Sequence, residues 1–275
     1  MKKFLIIAVI IFLVTPLILG ALLWKQIPSD AQIKGCIVTK MFKVDLCPGG
    51  KKYVRLKDIS PYLVKTVVLT EDSSFWQHGG FDWQSIKENY ELNKKLGKYK
   101  RGGSTITQQL AKNMFLTSEK TLTRKGLEAL ITLKIERALS KKEILERYLN
   151  VIEFGNGVYG IKAAAQHYFR KSPRDLTIVE SSFLAMVLPN PKKYSVSFYK
   201  KELTPFAQKR IQQIIDNLHQ YNRITEAEYY QALFELDTFF RPLDFFGTPD
   251  GEESSSDFDL TLEHLEQEAT EEDRF

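Results

Sequence analysis

The chain begins with an apolar segment that restricts where the rest of it can fold. Residues 4–24, FLIIAVIIFLVTPLILGALLW, contain no charged side chain over 21 positions. A helix of that length rises about 30 Å, the thickness of a bilayer core, whereas the apolar part of a cleaved signal peptide spans only about 7–15 residues. Trp24 and Lys25 at its end are residue types that favour the membrane interface. We therefore expect residues 1–25 to form a retained signal anchor that crosses the membrane once.

The charges beside this segment indicate its orientation only weakly. Lys2 and Lys3 favour a cytoplasmic N-terminus, whereas Lys25, Lys34 and Lys40 on the other side reduce the difference. Long domains cross a membrane largely regardless of such charges. We therefore expect the rest of the chain to lie on the extracytoplasmic side.

The net charge of +5 hides two unlike parts. Residues 250–275 contain eleven acidic residues and one basic residue, so residues 1–249 carry 38 basic against 23 acidic residues, a net charge of +15. A basic body outside the membrane favours anionic lipid or a lipid-phosphate substrate as its partner and argues against nucleic acid. Residues 241–275 have the composition of an acidic, disordered tail.

The two cysteines, Cys36 and Cys47, allow two states. Outside the cell they can form a disulfide, or they can remain as two thiols, and the sequence leaves both open. Neither these cysteines nor the four histidines have the spacing of a zinc site.

Helix signals dominate from residue 60 onward. Ser60 followed by Pro61 has the form of an N-cap and a first helical residue. Apolar residues recur at three- and four-residue intervals along the segments that follow. Further pairs have the spacing of a capping box: Ser140 with Glu143, Thr177 with Glu180, and Thr225 with Glu228. We predict a mainly α-helical domain over residues 60–240, behind a membrane-proximal segment at 26–59 that contains strand-like runs such as KYVRL.

One polar, basic segment, residues 87–101, interrupts the apolar pattern. It is expected to be a mobile loop or a loose helix. A solvated linker and an element that gates substrate entry both fit this composition.

Glu71 continues an apolar stripe. In a helix that starts at Ser60, Glu71 shares one face with Val64, Val67 and Val68. A partly desolvated carboxylate has a raised pKa, which suits a general base near neutral pH. The alternative is a helix-end glutamate that points into solvent.

The segment RGGSTITQQLAKN, residues 101–113, has the form of an anion-binding helix start. With Ser104 as the N-cap, one face carries polar side chains and the opposite face is apolar and would be buried. Free N–H groups at such a helix start can bind a phosphate, and the glycines allow close approach. The alternative is an ordinary polar helix face. The polar face consists of Thr105, Gln108, Gln109 and Lys112, and the apolar face of Ile106, Leu110 and Met114.

A third segment places Arg124, Lys125 and Glu128 within one helical turn. Two cations with an acid suit a diphosphate with a divalent cation. The alternative is a surface salt bridge, and we expect that simpler role for the remaining acids of the region, Glu136, Glu143 and Glu146.

Together these segments resemble glycosyltransferase family 51, the peptidoglycan glycosyltransferases. The resemblance covers about residues 60–195, and five motifs occur in order. A lone anchor without a transpeptidase domain is similar to the monofunctional biosynthetic transglycosylases. The motifs are EDSSFWQHGGFD, RGGSTITQQLAKN, RKGLEALITLKIE, KKEILERYLN, and the run from FGNGVYG to LPNPKKY.

The resemblance implies a fold and an activity. The fold would be mainly α, with a lysozyme-like helical lobe and a smaller membrane-facing lobe. The activity would be polymerisation of lipid II into β-1,4-linked glycan strands, with inversion and loss of undecaprenyl diphosphate. The chain would act on the outer side of the bacterial cytoplasmic (inner) membrane. Its partners would be lipid II, the growing lipid-linked strand, membrane lipids, transpeptidases and other cell-wall synthesis proteins.

The resemblance also implies roles for individual residues. Glu71 would be the catalytic base, and Glu128 the second catalytic glutamate, near the diphosphate and its Mg²⁺ or Mn²⁺. Ser73 and Ser74 stand where the family often has arginine after the acid pair, while Lys120 keeps a basic residue that the family often has. The substrate-binding set would be Asp72, Phe75, His78, Ser104, Thr105, Gln108, Gln109, Lys112, Asn113, Lys120, Arg124 and Lys125.

Two other functions fit the sequence less well. A cell-wall glycan hydrolase on the same scaffold would normally need a second carboxylate across the scissile bond. A non-catalytic scaffold for wall synthesis would use the acidic tail to recruit partners.

Overall fold

A computed structural model describes residues 25–97 and 103–240. The anchor expected at residues 4–24 and the acidic tail at 241–275 lie outside these ranges, as do Arg101 and Gly102. Within the two ranges, no helix is both long enough and apolar enough to cross a bilayer.

The described residues are mainly α-helical, as the sequence predicts. Single turns of 3₁₀-helix occur at Leu56–Asp58 and Pro173–Asp175. The α-helices are α1 (Asp30–Lys34), α2 (Pro61–Glu71), α3 (Trp83–Leu96), α4 (Ile106–Phe115), α5 (Leu122–Ala138), α6 (Lys141–Val151), α7 (Ile161–Phe169), α8 (Ile178–Val187), α9 (Pro191–Tyr194), α10 (Val196–Tyr199), α11 (Pro205–Gln220) and α12 (Glu226–Asp237).

Short strands form two antiparallel hairpins in this part of the chain. Strand β1 (Ile37–Val38) pairs with β2 (Asp45–Leu46), and β3 (Glu153–Gly155) pairs with β4 (Val158–Tyr159). Strand β2 contacts α6, and both strands of the second hairpin contact α7, while β3 also contacts α8 and α9.

The strand predicted at KYVRL, residues 52–56, is wrong. Side chains of α6 satisfy its backbone instead of a neighbouring strand: Val54 exchanges two 2.8 Å hydrogen bonds with the Asn150 amide, and Leu56 N donates to Glu146 Oε2 at 2.7 Å. A backbone whose polar groups are already paired in this way needs no ladder.

The predicted helix starts are largely confirmed. The boxes at Ser140, Thr177 and Thr225 are formed, each with its glutamate partner. Ser60 precedes α2 as expected, but its Oγ donates to Leu176 O at 2.7 Å instead of capping the helix. That bond ties the start of α2 to the segment that leads into α8.

Two packing arrangements position the site. Helix α2 packs against α8, whose ten residues are all buried, and α4 packs between α5 and α6. Ile33 and Leu46, from the segment before residue 60, are fully buried in the same core. Asp72, directly after α2, accepts from Ile106 N, the first residue of α4, so these two helix ends lie side by side.

Cys36 and Cys47 form a disulfide, which resolves the alternative that the sequence left open. The bond closes the β1–β2 hairpin. The tip of this hairpin docks on the end of α4, where Lys40 N donates to Met114 O at 3.0 Å and Met41 N donates to Asn113 O at 3.3 Å.

Of the polar segment at 87–101, residues up to Leu96 belong to α3, so the expectation of a helix is met there. This helix buries none of its side chains, and it ends at Gly97 with φ 63°, a left-handed conformation that glycine adopts without strain.

Candidate active site

Glu71 is the last residue of α2 and is half-buried. Val67 and Val68 are buried in the same helix, as the apolar stripe predicts. Burial raises the pKa of the Glu71 carboxyl, and the neighbouring Asp72 adds to this effect; a hydrogen bond from Gln109 and the charge of Arg210 oppose it. The carboxylate does not fit the alternative of a glutamate pointing freely into solvent.

A chain of two hydrogen bonds orients Glu71. Gln109 Nε2 donates to Glu71 Oε2 at 2.9 Å, and Tyr148 OH donates to Gln109 Oε1 at 3.0 Å. Tyr148, on α6, is fully buried, and this burial raises the pKa of its phenol well above the usual value. The phenol therefore stays protonated and fixes which end of the Gln109 amide faces the glutamate.

Asp72 joins α2 to the start of α4. Its Oδ2 accepts from Ile106 N at 2.9 Å, and its Oδ1 lies 2.7 Å from His78 Nε2. His78 Nδ1 accepts from Gly80 N at 3.1 Å, so Nε2 must carry the proton and donate to Asp72. Although burial raises the pKa of Asp72, these two donors oppose the shift.

The N-cap predicted at Ser104 is wrong, because α4 begins one residue later. Thr105 is the N-cap: its Oγ1 accepts from Gln108 N at 3.2 Å, and Gln108 Oε1 accepts from Thr105 N at 3.0 Å. Thr105 Oγ1 also donates to Gly80 O at 2.7 Å. The side chains of Thr105 and Gln108 are therefore buried and used in the helix cap. Of the polar face predicted for this helix, only Gln109 and Lys112 remain to interact with the site.

The rest of α4 is placed as the pattern predicts, with its apolar face buried: Ile106, Leu110 and Met114 are at most 1% exposed. Asn113 is also buried, on the side that receives the hairpin tip. Lys120 lies in the exposed segment between α4 and α5.

Glu128 lies at the centre of a cationic cluster. Its two oxygens lie 2.7 Å from Arg124 Nη1 and 2.5 Å from Lys125 Nζ, and its side chain is 3% exposed. Lys125 Nζ also lies 3.4 Å from Ser104 Oγ. So deep a burial contradicts the alternative of a surface salt bridge.

Lys112 completes this cluster from α4. Its pKa is lowered, first by burial and then by the charges of Arg124 and Lys125, while Glu128 opposes the shift. Arg124 Nε is buried and has no hydrogen-bond partner among the described residues. Two cations thus pair with one carboxylate, and the charge of a third, Lys112, interacts with this group, so the excess of positive charge can receive an anion.

The residues present do not form a divalent-cation site by themselves. No group of three or more His, Cys, Asp or Glu residues converges anywhere in residues 25–97 and 103–240. Glu128 is a single carboxylate, and both of its oxygens already bind cations. Mg²⁺ normally takes most of its ligands from water and substrate phosphates, so a metal here would depend on a bound diphosphate.

Phe75 is fully buried under a cation that the sequence analysis missed. Lys141 Nζ lies 4.5 Å from the centre of the Phe75 ring and 2.7 Å from Glu136 Oε1. The same Glu136 oxygen accepts from Thr107 Oγ1 at 2.5 Å, which ties α5 to α4. Glu136 is therefore not part of a simple surface salt bridge, because it joins α5 to both α4 and α6.

The surface salt bridges expected for Glu143 and Glu146 are also not what the structure shows. Glu143 accepts from Ser140 in a helix cap, and Glu146 accepts from Tyr53 OH at 2.7 Å as well as from the backbone of Leu56. Neither forms a salt bridge within the described residues.

Tyr148 and Arg210 are further residues that the sequence analysis missed. Tyr148 occurs in ERYLN beside apolar positions, where a buried tyrosine is expected to be simple core. Only the packing of α4 against α6 directs its hydroxyl to Gln109. Arg210 lies on α11, far along the chain, and no local pattern connects it with Glu71.

Comparison with known proteins identifies relatives of this chain. The family profile described as Transglycosylase matches residues 43–219. The biosynthetic peptidoglycan transglycosylase of Methylobacillus flagellatus is 50% identical over 143 residues, which cover 52% of this chain and 62% of that protein. The protein of the same name from Mannheimia succiniciproducens is 48% identical over 145 residues, covering 53% and 59%. That from Acinetobacter baylyi is 38% identical over 205 residues, covering 70% and 88%.

The chain thus spans about 60% of the length of the first two relatives and most of the third. Among solved structures, penicillin-binding protein 1A from Haemophilus influenzae aligns with 78% of this chain and 20% of its own, at 19% identity and a TM-score of 0.33.

Proposed function

The chain belongs to the Transglycosylase family, and from this premise we propose that it polymerises lipid II into β-1,4-linked glycan strands, with inversion and release of undecaprenyl diphosphate. One observation carries the proposal furthest. Helix α4 contributes to both parts of the site. Its Gln109 orients the half-buried carboxylate of Glu71, and its Lys112 belongs to the cationic cluster around Glu128.

In the proposed reaction Glu71 acts as the general base. Its carboxylate takes the proton of a sugar hydroxyl, and that oxygen attacks the anomeric carbon of a second, lipid-linked sugar. The bond from this carbon to the diphosphate breaks from the opposite face, and the electron pair leaves with the phosphate oxygen. The raised pKa of Glu71 supports the role, since a base with a pKa nearer to neutral accepts a proton more readily.

The cationic cluster supports the other half of the reaction. Lys112, Arg124 and Lys125 can offset the charge that develops on the leaving diphosphate, and Ser104 Oγ adds a hydrogen-bonding group beside Lys125. Glu128 holds two of these cations in place, and the unpartnered Arg124 Nε supports the presence of a further acceptor when substrate is bound.

We also propose that Mg²⁺ or Mn²⁺ accompanies the diphosphate near Glu128. Such an ion would neutralise phosphate charge, with most of its ligands supplied by phosphate and water. No step described above depends on it.

The setting of the reaction is part of the proposal. An anchor at residues 1–25 would hold the domain at the extracytoplasmic face of the bacterial inner membrane, where lipid II and the growing strand are embedded. The helical body would comprise a lysozyme-like lobe and a smaller lobe facing the membrane lipids. Transpeptidases and other wall-synthesis proteins would then be natural partners, and nucleic acid would not.

The described residues favour polymerisation over glycan hydrolysis. A hydrolase normally uses a second free carboxyl opposite Glu71, but both oxygens of Asp72 accept from donors within the fold, and Glu128 is held by two cations. A non-catalytic scaffold would need neither an oriented Glu71 nor a buried cationic cluster.

The test is polymerisation by the purified full chain in detergent, given lipid II and Mg²⁺. The parent should produce glycan chains, whereas Glu71→Gln should produce them at least about 100-fold more slowly. Release of sugar fragments from isolated cell walls without lipid II would support the hydrolase instead. Equal rescue of a wall defect by parent and Glu71→Gln would support the scaffold.

A further inference from the structure

A basic groove lies outside the candidate active site, between the β3–β4 hairpin, α7 and the membrane-proximal segment. It has a volume of about 810 Å³ and continues into a smaller cavity of about 330 Å³, with which it shares Tyr53, Lys162, Ser172 and Pro173. Aromatic rings form part of its wall: Phe42 stacks on Tyr159 with ring centres 4.7 Å apart.

The groove carries more positive charge than its own carboxylates can balance. Four basic residues that form no salt bridge within the described residues line the groove: Lys43, Lys52, Lys162 and Arg170. The 810 Å³ part of the groove has one acidic lining residue, Asp45. The acid of the smaller cavity, Asp58, is already paired with Arg174 outside the lining. The groove is therefore an exposed cationic surface with an aromatic wall.

Two of these cations are held in an unusual backbone conformation. Lys43 has φ 56° and Arg170 has φ 53°, both in the left-handed region, where glycine or asparagine is the common choice. A basic residue at such a position costs about 1 kcal/mol of backbone strain relative to glycine. Lys43 takes this conformation in the turn between β1 and β2, and Arg170 takes it as the C-cap of α7.

The chain continues close to the rim of this groove. Phe239 contacts Phe169 with ring centres 6.1 Å apart, and Phe169 directly precedes Arg170. After Phe240 the sequence runs for 35 more residues, of which residues 250–275 carry eleven acids and one base. The nine residues at 241–249 can extend by roughly 30 Å, so the acidic segment can reach the groove.

We propose that the acidic C-terminal segment, residues 250–275, binds in this basic groove of the same chain. Its acids alternate with apolar residues in DFDLTLEHLEQE, which matches cations beside an aromatic wall. Attachment to the same chain gives the segment an effective concentration of order millimolar at the groove, so weak ion pairs suffice. The proposal does not rest on the proposed enzymatic function.

Photo-cross-linking of the full chain in neutral detergent tests the proposal. A photo-reactive amino acid replaces Gln166, which lines the groove; in a matched control it replaces Gln213, an exposed residue of α11 that lines neither cavity. At low salt, peptides from residues 241–275 should be cross-linked at least tenfold more from the groove position. In 1 M NaCl, where charges are screened beyond about 3 Å, the yield should fall at least fivefold.

Charge reversals test which residues are responsible. A triple variant carries Lys52→Glu, Lys162→Glu and Arg170→Glu. Its yield of tail cross-links from position 166 should be at least fivefold lower. The same change of charge on α3, Lys87→Glu with Lys94→Glu and Lys95→Glu, should leave it within twofold. A second variant neutralises four acids of the tail and leaves the described residues unaltered, and it should also lower this yield at least fivefold. Its changes are Asp257→Asn, Asp259→Asn, Glu263→Gln and Glu266→Gln.

Several results would overturn the proposal. Equal tail cross-linking from positions 166 and 213, or none from position 166, would show that the groove does not bind the segment. Cross-links to phosphatidylglycerol in mixed micelles, with none to the tail, would make the groove a lipid headgroup site. Cross-links found only between isotopically heavy and light copies would place the tail in a second copy of the chain.

Discussion

Gln109 Nε2 donates to Glu71 Oε2 at 2.9 Å, so the end of α2 and the middle of α4 are joined at the carboxylate itself. The same helix, α4, receives Asp72 at its first backbone N–H and contributes Lys112 to the cationic cluster. Packing of α4 between α5 and α6 thus fixes the proposed base relative to the proposed diphosphate site.

Tyr148→Phe tests whether this orientation matters. The change leaves Gln109 Oε1 without its donor and lets the amide turn away from Glu71. We expect kcat for polymerisation to fall about 3- to 10-fold, corresponding to a hydrogen bond of roughly 0.5–1.5 kcal/mol. Because the Gln109 bond lowers the pKa of Glu71, weakening it should move the acid limb of the pH–rate profile to higher pH.

Tyr168→Phe is the matched control for that change. Tyr168 is also buried, and its hydroxyl donates to Phe154 O at 2.7 Å, away from Glu71. The Tyr168→Phe variant should lose as much stability as Tyr148→Phe, but the acid limb of its pH–rate profile should not move. An unmoved acid limb in Tyr148→Phe would show that the tyrosine serves only packing.

Asp72→Asn tests the link between α2 and α4. Both oxygens of Asp72 accept, from Ile106 N and from His78 Nε2, whereas an asparagine must turn its amide donor toward one of them. An unpaired buried group costs about 1–3 kcal/mol, so thermal denaturation should show Tm lower by roughly 3–10 °C. Nitrogen NMR of the imidazole should show the Nε2–H tautomer of His78 in the parent and its partial loss in the variant.

Asp82→Asn provides the comparison for Asp72→Asn. Two of its partners are the hydroxyls of Ser74 and Ser85, which can rotate to accept from an amide. Its Tm should change less than that of Asp72→Asn. Equal losses in the two variants would contradict the arrangement inferred for His78.

Lys112→Met tests the cationic cluster with inorganic pyrophosphate as the probe. Removing one charge-assisted hydrogen bond of about 1.5–3 kcal/mol should weaken binding roughly 10- to 100-fold in calorimetry. Lys57→Met, on the exposed surface of the 3₁₀ turn Leu56–Asp58, should weaken it less than threefold. Because burial lowers the pKa of Lys112, affinity in the parent should decline with rising pH earlier than for an ordinary lysine. Equal effects of the two changes would mean that α4 does not contribute to anion binding.

Glu71→Gln should stabilise the fold at high pH. The folded-state pKa of Glu71 is raised by burial, so its contribution to stability is present below the unfolded pKa and is lost as pH rises through the folded pKa. A neutral glutamine escapes this loss. Thermal denaturation should therefore give the variant a higher Tm at pH 8, with the difference shrinking toward zero below pH 4. A variant that is less stable at pH 8 would contradict the burial of an ionised carboxylate.

Much of this arrangement follows from local pattern, because helix faces are set by spacing. The stripe that ends at Glu71, the buried face of α4 and the grouping of Arg124 with Glu128 are all local properties. The one-residue error at Ser104 came from composition, since serine and threonine both cap helices. The capping-box pair Thr105 with Gln108 already pointed to the correct residue.

The rest could not be predicted, because it depends on contacts between distant segments. Asp72 reaches Ile106 across 34 positions, and Tyr148 reaches Gln109 across 39. A buried tyrosine or a single lysine such as Lys141 carries no periodic signal that would identify its partner. Such pairings become visible only when the helices are packed.

The most direct test of the central claim is the pH dependence of lipid II polymerisation at saturating substrate, measured for the parent and for Glu71→Gln. The parent rate should rise tenfold per pH unit and level off above the pKa of Glu71, which lies above the usual carboxyl value. The variant should be slower by about 10²–10⁴-fold, and this rise should be absent. A variant that keeps the parent rate, or the same acid limb, would show that Glu71 is not the base.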